Sequence, residues 1–245
     1  MVEVDFENLV LRQYIQGAVR SATQRHGGYI VAAKASLDSH LLTTRAAEKA
    51  VDSFWAKSLR LSGSAMDVES RATEKLVSDV LKQAELSNDP ESLVIESQAN
   101  FIALQATSHI KIQHDKIARH FDKVMLAAVM RSRSASDWPI VISAVTQEMS
   151  NSVSLGYRDR AGKKWTSARY VEVLYASALY ELVNDRKVEV MAKRGRKTAW
   201  IDYPNHDSHG QKLALVESQG LQNYNDLKAK VFHPGSEALI TDKRP

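Results

Sequence analysis

The chain of 245 residues has no cysteine, only five prolines and no apolar run longer than seven residues. Without cysteine there is no disulfide scaffold, no cysteine nucleophile and no thiolate site for zinc or an iron–sulfur cluster. Without a long apolar run nothing is expected to span a membrane. The first residues, Met1-Val2-Glu3-Val4-Asp5, are acidic and precede no apolar stretch, so no signal peptide is expected. Glycine-rich phosphate loops, Gly-x-Ser-x-Gly elbows and His-Glu-x-x-His helices are also missing.

What is present is an ordinary apolar fraction of 44%, enough for a sizeable core. The net charge of +4 is unevenly spread. Residues 1–156 carry 17 basic and 18 acidic side chains, whereas residues 157–200 carry 11 and 5. A clustered positive field favours polyanions, nucleic acid first. Arg158, Arg160, Lys163 and Lys164 gather before one helix, and Lys193, Arg194, Arg196 and Lys197 at its end. These eight are the candidate contacts to nucleic acid. Basic side chains at a helix C-terminus also suit its dipole.

Periodicity predicts helix over most of residues 1–154. Phe6, Leu9, Val10, Tyr14 and Ala18 share a face of a first helix, which Gly27-Gly28 is expected to stop. A second helix is read from about Ser39 to Leu61, ended by Gly63. A third follows Ser64 and Asp67 and carries Val77, Val80 and Leu81. Asp89-Pro90 restarts a long helix to about Arg133. Its seam, Ile110, Ile117, Phe121 and Val124, resembles a coiled coil, and roughly 60 Å of helix is too long for a small domain to cover. That predicts a surface for self-association or a partner. Asp137-Trp138-Pro139 then opens a short helix to about Asn151.

The character changes after Val153. Residues 156–165 read as a tight turn between two short extended arms. Thr166 is a good N-cap, with Trp165 and Tyr170 at the staple positions. The next helix carries Val171, Leu174, Tyr175, Ala178, Leu179 and Leu182 and stops at Gly195. A strand over 198–203, a polar loop over 204–210, a short strand over 212–216, a helix over 221–230, a turn over 231–235 and an extended piece over 238–240 complete the chain. The fold class is mainly α with a small α+β C-terminal domain, divided as 1–154 and 155–245.

Candidate chemistry is sparse. His206 and His209, with His233 further on, have the residue types for a zinc site but not a tight spacing. Ser208 and Asp207 beside them lack the elbow a hydrolytic triad needs. His109, His114 and His120 are five and six apart on the long helix, which puts them on different faces. His114 lies on the apolar seam and reads as a partly buried packing residue. No catalytic residue, metal ligand or cofactor is assigned, and the residues make no case for an enzyme.

Gly156-Tyr157-Arg158-Asp159-Arg160-Ala161-Gly162-Lys163-Lys164-Trp165, followed by Tyr170-Val171-Glu172, resembles the signature of Mu-like minor head proteins of tailed bacteriophages. In that family a Gly/Arg-Asp-x-x-Gly-Arg/Lys-x-Trp turn leads into an amphipathic helix. A strand, a histidine- or cysteine-bearing loop and a late His-Pro turn follow. Here those later elements are Trp200 to Tyr203, His206 in the loop 204–210, and His233-Pro234. The likeness covers about residues 155–240. It departs from the family in having no cysteine, with Ser236 where a last cysteine would stand, and Leu174-Tyr175 in place of an Arg-Thr pair.

The resemblance implies a structural virion protein without enzymatic activity: a minor capsid component in few copies, portal-associated, on the head interior. It would pass through the host cytoplasm during assembly. Its partners would be the portal or major capsid protein, packaged double-stranded DNA without sequence preference, and other copies of itself, with no membrane. Two readings compete. One is a metal-dependent hydrolase or injected effector using the loop histidines. The other is a non-specific DNA-binding protein with a helical oligomerisation arm.

Overall fold

Helix dominates, as the periodicity predicted. The computed structural model describes residues 6–43, 47–86, 92–149, 157–158, 161–215, 220–233 and 235–245. Three long helices come first: α1 (Phe6–Thr43), α2 (Ala47–Gln83) and α3 (Ser92–Arg131). A 3-10 turn over Ala135–Asp137 leads into α4 (Trp138–Met149). Then come β1 (Tyr157–Arg158), β2 (Lys164–Trp165), α5 (Ser167–Lys193), β3 (Thr198–Asp202), β4 (Lys212–Ala214), α6 (Tyr224–Lys228) and β5 (Leu239–Thr241). Among the described residues no helix is long and apolar enough to cross a membrane.

The expected stops at Gly27-Gly28 and Gly63 do not occur, because α1 and α2 run through them. The buried stripe of α1 explains why. Leu11, Ile15, Val19, Ala22, His26, Ile30, Ala33, Leu37 and Leu41 are all buried and stay in phase across the glycines. A helical glycine costs about 1 kcal/mol against alanine. Burying one Ile or Leu gives about 1.5–3 kcal/mol, so continuing the helix wins. The second predicted helix therefore has its boundary displaced: residues 39–43 belong to α1, and α2 begins at Ala47. The proposed start of the long helix at Asp89-Pro90 lies outside the described residues.

The chain sorts into two compact units that cut across the expected division at 154/155. One comprises residues 1–23, 72–103 and 171–245, the other residues 24–71 and 104–170.

In the first unit, β3 is the central strand of a three-stranded antiparallel sheet in the order β4-β3-β5. Ile201 pairs with Ile240, and Ala199 with Leu213. These four side chains pack with Tyr224, Leu227, Val231 and Ala238. Asn184 of α5, itself buried, ties β5 down. Its Nδ2 donates to the Ala238 carbonyl (2.8 Å), and its Oδ1 accepts the Ile240 amide (2.9 Å). Lys187 Nζ donates to the Ile240 carbonyl (3.0 Å). Backbone groups on a short strand are thus satisfied by helix side chains.

In the second unit the core is drawn from four helices. Ile30, Leu37 and Leu41 of α1, Phe54 of α2, Ile117, Phe121 and Val124 of α3, and Trp138 and Ile142 of α4 form one cluster. The seam expected to face a partner is therefore not a free surface: Ile110, Ile117 and Val124 are 0% exposed and Phe121 is 1% exposed. The chain covers the seam itself, because α1 and α2 continue past the glycines. Phe121→Ala is accordingly expected to cost about 3–5 kcal/mol of stability. A urea midpoint within error of the native one would contradict this packing.

Candidate functional site

The turn that carries the phage-like motif is a hairpin. Tyr157 pairs with Trp165 and Arg158 with Lys164. Gly162 holds a positive φ of 80°, which a residue with a Cβ adopts only at a cost. The side chains of Tyr157 and Arg158, together with Gly156, Asp159, Arg160 and Pro234, lie outside the described residues. Lys163 Nζ sits 4.8 Å from the Trp165 ring centroid, a cation–π contact. Thr166 caps α5 as predicted, its Oγ1 accepting the Arg169 amide at 3.1 Å.

The first turn of α5 then meets a layer of buried histidines that spacing along the chain does not reveal. The Tyr170 ring stacks on His109 at 4.3 Å, and His109 stacks on His26 at 5.1 Å. Ser167 Oγ lies 3.0 Å from His109 Nε2 and 3.5 Å from His26 Nε2. Gln113 Nε2 also reaches His109 Nε2, at 3.4 Å. These distances fit one neutral chain of hydrogen bonds. His109 Nε2 accepts from the Ser167 hydroxyl, the Gln113 amide at 3.4 Å sharing the same lone pair, and His26 Nε2–H donates to Ser167 Oγ. A proton on His109 Nε2 would oppose the Gln113 amide donor.

Electrostatics agree with that assignment. Burial lowers the pKa of His26 from 6.5 to about 4, opposed by the Glu69 carboxylate and reinforced by His114 and Arg25. Burial likewise lowers that of His109 to about 4, with smaller contributions from His26 and Lys116. Burial also lowers the pKa of His114, which is 2% exposed with both ring nitrogens unpartnered. It is the packing residue its place on the seam predicted. Glu69 is fully buried and held by two nitrogens of the Arg25 guanidinium, at 2.7 and 3.0 Å.

The Ser167–His109 contact has the form of a nucleophile and its base, but its electrostatics suit a brace. A base with a pKa near 4 draws little on a serine proton at neutral pH. The signals that lead to this layer are indirect. His26 falls in phase with the buried stripe of α1, and His109 and Gln113 are one turn apart on α3.

The loop histidines are also braces. His206 stacks on Tyr203 at 4.4 Å, and its Nδ1 accepts the Ser208 amide at 3.1 Å. His209 Nδ1 accepts the Tyr203 amide at 3.1 Å and lies 3.5 Å from Asp202 Oδ1. Accepting at Nδ1 puts the proton on Nε2 and closes that nitrogen to a metal. Asp202 is buried and paired with Arg12 at 2.9 Å. His233 is exposed, and its carbonyl accepts the Ser236 amide at 2.9 Å. Ser236 is buried, its Oγ accepting the Ala238 amide at 3.1 Å. Among the described residues no three His, Asp or Glu side chains converge as a metal site.

The basic candidates fall into separate groups. Lys163 and Lys164 are exposed on the hairpin of the second unit. Lys193, Arg194, Arg196 and Lys197 are exposed where α5 ends in the first unit, at Gly195 with φ 75°. Lys193 pairs with Glu189 at 3.0 Å and Arg196 with Asp242 at 3.7 Å. Arg194 and Lys197 have no ion pair among the described residues.

The histidine layer sets a pH dependence. The unfolded chain takes up protons near pH 6.5 and the folded chain only near 4, so stability is full above 6.5 and falls as pH drops. Each of His26 and His109 is expected to remove about 1.4 kcal/mol per pH unit inside that window. Urea unfolding between about pH 6.5 and 5, ahead of most carboxylate titration, measures the slope. A His26→Gln, His109→Gln chain should show a shallower one, and an unchanged slope would refute the assignment.

Comparison of the chain with family models, curated proteins and solved structures finds no match, so the functional reading rests on the residues and geometry above.

Proposed function

We propose that the chain is a structural virion component: a minor capsid, portal-associated head protein of a tailed phage that acts in head assembly and contacts packaged DNA. One observation carries this reading. The described residues of the phage-like signature fall on β2, α5, β3, the loop after β3 and the segment before β5. The motif side chains that are described also have packing roles. Trp165 takes a cation–π contact from Lys163, Tyr170 stacks on His109, and His206 holds a loop. That pattern suits a protein whose work is to present a rigid surface. The loop-histidine hydrolase reading is weaker, since both rings accept backbone amides at the nitrogen whose partner would have to bind metal.

Quantitative mass spectrometry of purified heads tests the proposal. The chain should be present in a few copies per particle, and heads assembled without the portal should lack it. Its absence from intact heads would overturn the reading.

DNA contact has its own measurement. Lys193 and Arg196 are engaged by carboxylates, so Arg194 and Lys197 are the principal phosphate contacts at the end of α5. Arg194→Gln with Lys197→Gln should make the dependence of log affinity on log salt shallower by about 1.8. An unchanged slope would remove this patch from the DNA contact.

A further inference from the structure

The outer face of α3 carries a pattern that the buried seam does not explain. Leu104, Leu126 and Met130 are exposed at 61%, 61% and 79%. Between them on the same face lie Ser108, Asp115 and Arg119, also exposed. The six follow one another at steps of four, seven, four, seven and four, a spacing that reads the same from either end. Steps of four and seven keep side chains on one side of a helix. All six belong to α3 and to the second unit.

We propose that this face binds a second copy of the chain, with the two α3 helices antiparallel about a two-fold axis at the level of residue 117. The argument is charge complementarity under that symmetry. A two-fold axis there sets Asp115 against Arg119 of the second copy, and Arg119 against its Asp115. It places Leu104 against the second copy's Met130, and Ser108 against its Leu126. One turn out from the centre, on the flank of the stripe, Lys111 meets Asp122 of the second copy. The parallel arrangement sets like charge against like at the same positions. Lys111, Asp115, Arg119 and Asp122 have no ion pair within the chain among the described residues, so all four are available. Isologous contacts of this kind are the usual basis of a homodimer.

The contact is about 39 Å long and about 10 Å wide, roughly 400 Å² on each copy. That is below the standard size of a stable interface, so the dimer is expected at micromolar concentrations and above. The inference does not depend on the capsid reading.

The absence of cysteine makes the test clean. A chain carrying both Ser108→Cys and Leu126→Cys should form an interchain disulfide dimer on mild oxidation, while either single variant stays uncross-linked. The two positions are about 27 Å apart along the helix, which excludes an internal bridge. Sedimentation of cysteine-free chains is the second measurement. Asp115→Arg should weaken dimerisation about tenfold or more, and adding Arg119→Asp should restore it. Circular dichroism checks that each variant stays helical. A native chain that is monomeric at all concentrations, single-cysteine variants that cross-link as well as the double, or an Asp115→Arg chain that dimerises normally would each overturn the proposal.

Discussion

From Ala99 to Ala128, the inward side of α3 is kept from water: Ile102, Ala106, Ile110, Ile117, Phe121 and Val124 are each no more than 2% exposed. A helix of 40 residues cannot hide such a stripe by itself. Within the second unit the cover comes from α1, α2 and α4. For α1 and α2 to supply it they must stay helical through residues that favour stopping. The glycines in them meet no neighbour within 4 Å of a Cβ position, so no close packing requires glycine there. They are tolerated because the apolar stripes on either side stay in phase.

The same constraint decides the chemistry of the polar residues on the stripe. Gln113 and His114 are 0% and 2% exposed on α3, and a buried charge at either place would be strongly unfavourable. Neutral imidazoles and a hydroxyl fill this layer instead. Ser167 supplies the hydroxyl, so the point where α5 begins is fixed by the needs of α3. β2, which ends at Trp165, is thereby tied to this hydrogen-bonded layer. Glu69 is the exception, a fully buried carboxylate, and the Arg25 fork compensates it.

How much of this was legible follows one physical division. Local signals were readable: the Thr166 cap, the Gly195 stop, the hairpin, and the strand from Thr198 all depend on neighbours in sequence. Non-local outcomes were not. Gly27-Gly28 and Gly63 have weak stop propensity, and burial elsewhere overrode it. The misplaced seam is the same error seen twice. With α1 and α2 taken as short, the chain appears to lack cover for Ile117 and Phe121, and a partner has to be invoked. His26 and Ser167 are separated by 141 positions, so no spacing rule could join them.

Once the inward stripe is assigned to the core, what remains for partners is narrower and weaker. At the end of α5 only Arg194 and Lys197 are without a carboxylate partner among the described residues, against four basic residues read from the sequence. Two phosphate contacts lose about tenfold in affinity between roughly 50 and 200 mM salt. The end of α5 alone is therefore a poor ligand for DNA under cellular conditions. Several chains held at a fixed spacing are a better one, because each further contact becomes intramolecular and its effective concentration rises. If the proposed DNA contact holds, it follows assembly and does not drive it, which favours the proposed structural role over a free-standing DNA-binding protein.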